Sequence, residues 1–175
     1  MPELTYLYTL ASLSVTFVGF SALVIILRQT MGGEMSKLDI LITRIFIQLG
    51  FIVAGGAMLP ALLQLFALPP PLVWRVASVV AAVPSFLFAA TYPRRRRAAS
   101  GMPTPVVIWI DVAILASCAM ALACNAAGLG FAPNAALFAA ALTGIFFLAA
   151  WAYLQALHLL LRPHIARLNT PGTER

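Results

Sequence analysis

Five apolar runs, at roughly 4–28, 38–66, 72–92, 104–127 and 134–162, fill most of a 175-residue chain, and as a helix each would cross about 30 Å of hydrocarbon. Water-soluble domains have about a quarter of their residues charged, whereas this chain is 9% charged and 62% hydrophobic, with a mean hydropathy of +0.98. Strands are a poor alternative, because the runs lack alternation of polar and apolar residues and a membrane admits only helices or closed barrels. The expectation is an all-α polytopic membrane protein, one transmembrane domain over 1–175 built as a bundle of five helices. Almost nothing is left over for a soluble catalytic head.

The connections carry helix breakers. Met31-Gly32-Gly33-Glu34 separates the first two runs, and Ser36-x-x-Asp39 has the pattern of a helix start. Pro69-Pro70-Pro71 follows the second run, Pro93, Gly101, Pro103 and Pro105 bracket the loop after the third, and Gly128-x-Gly130 with Pro133-Asn134 precedes the fifth. The opening MPELTYLYTL lacks the basic region of a signal peptide and reads as the start of a retained first span. No internal repeat is visible.

Charge sets the orientation. With five spans, Arg28, Lys37, Arg44, Arg94 to Arg97, Arg162, Arg167 and Arg175 fall at one set of ends and only Arg75 at the other. Ten against one places the N-terminus outside and the C-terminus in the cytoplasm by the positive-inside rule. The net charge of +6 is thus a topology signal and not a nucleic-acid footprint. Arg94, Arg95, Arg96 and Arg97 are expected in a loop that contacts anionic lipid headgroups at the cytoplasmic face.

A step of 100° per residue groups the few polar side chains into stripes. Thr5, Thr9, Ser12, Thr16 and Gly19 form one seam of the first span; Arg44, Gln48 and Gly55 share a face of the second; Asp111, Cys118 and Asn125 share one of the fourth; Trp151, Gln155, His158 and Arg162 share one of the fifth. The third offers only Ser78 and Ser85. Such stripes are expected to face protein or water. By helical rise, Arg44 lies about 9 Å deep from the cytoplasmic ends, Asp111 about 11 Å, Gln155 about 10 Å and His158 about 6 Å. Arg44, Gln48, Asp111, Gln155 and His158 therefore form one intramembrane polar layer. An ion pair between Arg44 and Asp111 is its cheapest arrangement, with snorkelling the competitor for Arg44. That layer is either a register-fixing pair or the start of a half-channel in which Asp111 or His158 exchanges a proton.

Reactive constellations are sparse. Cys118 and Cys124 are separated by about 9 Å of helical rise, too far for a disulfide. His158 and His164 lie on different helix faces, and there is no acidic metal cluster, phosphate loop or Ser-His-Asp order. No cofactor or metal and no enzymatic activity are expected.

The segment Phe17-Val18-Gly19-Phe20-Ser21 running to Leu27-Arg28, the Leu59-Pro60 pair and Trp74-Arg75-Val76-Ala77-Ser78 resemble small bacterial multi-pass membrane proteins. The resemblance covers mainly the first three spans and implies a bacterial cytoplasmic (inner) membrane. It assigns no activity and no site residue. The functional expectation is a structural or accessory membrane component with the lipid bilayer, a second copy of the chain or another membrane protein as partner, and no nucleic acid. The alternative is a small homo-oligomeric channel or carrier for protons, ions or a small solute.

Overall fold

The protein is seen in a computed structural model that describes residues 2–30, 37–101, 103–130 and 132–168. Each apolar run is one α-helix: α1 Pro2–Thr30, α2 Lys37–Gln64, α3 Pro70–Ser100, α4 Val106–Ala127 and α5 Ala135–Leu168. All five contain stretches long and apolar enough to cross a membrane. Even α4, the shortest at 22 residues, reaches about 33 Å at 1.5 Å per residue.

Helix ends fall where the chain can satisfy its last carbonyls. Gly101 (φ 66°) and Gly128 (φ 71°) take the left-handed conformation that closes α3 and α4, and their N–H groups donate to the carbonyls of Arg97 and Cys124. Asn134 caps α5, its side-chain oxygen accepting from the N–H of Leu137 at 2.9 Å. Ser36, proposed as the cap of α2, lies outside the described residues.

Two boundaries depart from expectation: α5 runs to Leu168, past 162 where the fifth run ends, and α3 is extended further still. The third span does not stop at Tyr92; helix continues through Pro93 to Ser100, so Arg94 to Arg97 form helical turns and not a loop. Proline removes one N–H but fixes φ near the helical value, and cations at a helix C-terminus complement its dipole. Only the left-handed Gly101 ends the helix.

The helices pack so that α2 touches α1, α3 and α5, while α4 touches α3 and α5 but not α2. Helices α2 to α5 thus form a ring, and α1 lies outside it against α2 and α5. The ring is filled at the end away from the arginine run. There Val53, Phe138, Leu142 and Ile145 are fully buried, Gly56 lets α2 approach Leu142 and Ala81, and Trp74 meets Phe138 with ring centroids 5.8 Å apart. Asn125 joins three helix ends in that layer: its amide nitrogen donates to the Ser78 hydroxyl at 2.9 Å and to the Asn134 carbonyl, and its oxygen accepts from the Asn134 N–H at 3.0 Å. The docking of α1 uses a hydroxyl and a missing side chain. Ser14 donates to the Gly50 carbonyl at 2.9 Å, and a Cβ on Gly50 would collide with Val18.

Candidate functional site

At the end carrying Lys37 and the arginine run, which we call the basic end, the ring is hollow. A cavity of about 260 Å³ opens between α2, α3, α4 and α5. Its walls are mostly hydrocarbon, with Ile42, Phe46, Phe88, Val112, Leu115 and Leu148 prominent. The polar groups around it are Arg96 and Tyr92 of α3, Asp111 of α4 and Gln155 of α5.

The α3 helix delivers Phe88, Tyr92 and Arg96 at spacings of four, one above another on a single face. Phe88 and Tyr92 stack with centroids 5.8 Å apart. Of the four consecutive arginines, Arg94, Arg95 and Arg97 are exposed, while Arg96 is half-buried. The Nη1 nitrogen of Arg96 is buried and has no hydrogen-bond partner. Asp111 faces the same cavity, also half-buried, and forms no hydrogen bond or ion pair with a described residue. Opposite charges therefore share one hollow without closing on each other. Arg94 and Arg97 turn the other way, flanking a groove on the outer surface with Ala89, Ala90 and Trp109.

The polar layer expected from depth is divided. Asp111 and Gln155 line the cavity, but Arg44 is exposed and Gln48, though half-buried, is not part of the lining. Arg44 and Asp111 do not pair, because α2 and α4 are held apart across the hollow. The cavity face of α2 is Ile42, Ile45, Phe46 and Leu49, and Arg44 points about 150° from its centre at 100° per residue. The side chain of His158 lies outside the described residues.

The α1 seam lies on the outside of the bundle and not against the other four helices. Thr5, Thr9, Ser12, Thr16 and Gly19 are all exposed, while Leu7, Leu10, Ala11, Ser14 and Ser21 are buried. Two of its hydroxyls need no partner beyond the helix: Thr9 donates to the Thr5 carbonyl at 3.0 Å and Thr16 to the Ser12 carbonyl at 2.8 Å. Back-bonding of this kind lets a hydroxyl face hydrocarbon. The α4 stripe does turn inward, with Asp111 on the cavity, Cys118 against Gly144 and Asn125 fully buried.

Arg96, expected at lipid headgroups with its three neighbours, and Tyr92 instead line the cavity, because helix continues through Pro93. The signal was present in the i, i+4, i+8 spacing of Phe88, Tyr92 and Arg96, legible once the helix is carried through the proline. Among the described residues no group of three or more His, Cys, Asp or Glu side chains is placed to hold a metal ion. Compared with protein families, curated proteins and solved structures, the chain matches none.

Proposed function

We propose that the protein is a non-enzymatic structural or accessory component of a bacterial cytoplasmic membrane, with its N-terminus outside and its basic end in the cytoplasm. The observation that carries this reading is the packing of the far half of the ring. A conducting path needs a polar route across the whole bundle, but beyond the cavity come the fully buried Val53, Leu142 and Ile145 and then the Asn125 knot, whose hydrogen bonds are made within the protein. The α1 seam, the other polar route, lies on the outside of the bundle. Arg94, Arg95 and Arg97, spread around the end of α3, are suited to anionic headgroups, each worth about 1 kcal/mol near such a surface.

The competing reading, a proton or ion pathway, draws on the cavity with its Asp111. Proteoliposomes loaded with a pH dye separate the two. We expect no flux above protein-free vesicles under an imposed gradient. A dose-dependent flux that is lost in Asp111→Asn, with the fold retained, would replace the structural reading by the channel.

A further inference from the structure

The cavity at the basic end has the properties of a ligand site. A dry apolar cavity of roughly 150 Å³ already takes up benzene, so about 260 Å³ accommodates a length of hydrocarbon chain. It lies just below the usual range for ligand pockets, roughly 300–1,000 Å³, and is too small for two chains side by side. Hydrocarbon walls left unfilled lose their dispersion contacts, and an apolar guest restores them.

The polar rim narrows the guest further. Among the described residues Arg96 and Asp111 form no ion pair with each other, the buried Nη1 of Arg96 has no hydrogen-bond partner, and Asp111 accepts no hydrogen bond. A guest carrying only an anion would satisfy Arg96 but face an uncompensated Asp111. One carrying only a cation would reverse the problem. In surroundings of low dielectric each unpaired charge is costly, so a head bearing both charges fits best.

Entry is also provided for. A second hollow of about 400 Å³, lined by Lys37, Leu38, Ala99, Ser100 and Pro103, shares Arg96 and Pro105 with the cavity. Arg96 therefore stands where the two meet. Phe88 and Leu115 lie about a turn further from the basic end than Tyr92 and Asp111, which sets the direction of a bound chain: head at Arg96, tail toward the middle of the bundle.

We propose that this cavity binds a single-chain zwitterionic amphiphile of the lysophospholipid class, its phosphate held by Arg96, its ammonium by Asp111 and its acyl chain among Phe46, Phe88, Val112 and Leu115. The proposal goes beyond the structural role and does not depend on the flux result. The full-length protein in detergent, titrated with lysophosphatidylethanolamine and read by native mass spectrometry, is expected to retain one molecule. Arg96→Gln and Asp111→Asn should each weaken retention by about tenfold or more, about 1.4 kcal/mol. Arg95→Gln, the same charge change on the exposed side, should leave it unaltered. Lysophosphatidate, which lacks the ammonium, should bind more weakly to the unmodified chain and no worse to Asp111→Asn. Ala152→Leu, which occupies the cavity with both charges intact, should abolish retention and serves if a charge variant does not fold. Failure to retain the lysolipid, equal losses in Arg95→Gln and Arg96→Gln, or equal affinity for the two lysolipids would overturn the proposal.

Discussion

Among the described residues, Asn125 makes more hydrogen bonds between helices than any other. Its amide touches Ser78 of α3 and both donates to and accepts from the backbone of Asn134 at the start of α5. Both Asn125 and Ser78 are fully buried. Replacing the amide strands the part-buried Asn134 N–H and the buried Ser78 hydroxyl without their partner, a cost of about 1–3 kcal/mol. Asn125→Leu should therefore lower unfolding stability in mixed micelles by about that amount. Ser85→Ala is the control: its hydroxyl is also buried but donates to Ala81 within its own helix at 2.8 Å, so the loss should be much smaller. Equal losses would mean that the Asn125 network does not hold the three helices together. The arginine run makes a related point. Four identical side chains in succession acquire different environments because each helical step turns by about 100°, and only Arg96 is carried into the hollow.

The α1 helix shows how an element can carry a polar stripe without burying it. The stripe follows helical periodicity correctly, but the face opposite it, with Leu7, Leu10, Ala11 and Ser14, is the one that packs. The threonine hydroxyls close on carbonyls of the preceding turn, which removes the reason to face protein. Thr9→Val and Thr16→Val should accordingly shift unfolding stability by no more than about 0.5 kcal/mol, as at ordinary surface sites. Ser14→Ala removes a hydrogen bond between helices and should cost about 1 kcal/mol. If the two threonine changes cost as much as Ser14→Ala, the seam contacts something beyond the bundle, and cross-linking from those positions would identify a second copy or another membrane protein. At the end of α3, Pro93 likewise does not stop the helix. A proline's missing donor is a local loss, whereas the chain leaves the helix only at the left-handed Gly101.

For the whole molecule, the five-helix arrangement makes a prediction about sides. Residues near the α3–α4 and α4–α5 turns lie at opposite ends of the bundle, and under the proposed orientation, from the ten-to-one basic asymmetry, the first are expected in the cytoplasm. In a background without Cys118 and Cys124, Ala98→Cys and Ala132→Cys should be labelled by an impermeant reagent from opposite sides, Ala132 from the outside. Both positions are exposed, and they avoid the positive φ of Gly101 and Gly130. Labelling from one side only would remove the five-span topology, and labelling with the sides exchanged would reverse the orientation.

Length, hydropathy and breaker spacing by themselves determined the number of helices and where most of them begin and end, because crossing a membrane needs a minimum apolar length and each backbone polar group must be satisfied within its helix. Asp111 and Gln155 were also legible as inward-facing groups, since a carboxylate or an amide has few cheap positions in hydrocarbon. Tertiary structure decided which faces of α1, α2 and α3 turn inward. Periodicity shows which residues share a face but not which neighbour that face meets, and in lipid the drive to bury apolar surface no longer discriminates between them. Close packing seats α2 against α1 at Gly50 and against α3 and α5 at Gly56, and in the resulting ring α2 and α4 stay apart, Arg44 is exposed and Arg96 reaches the cavity that Asp111 lines.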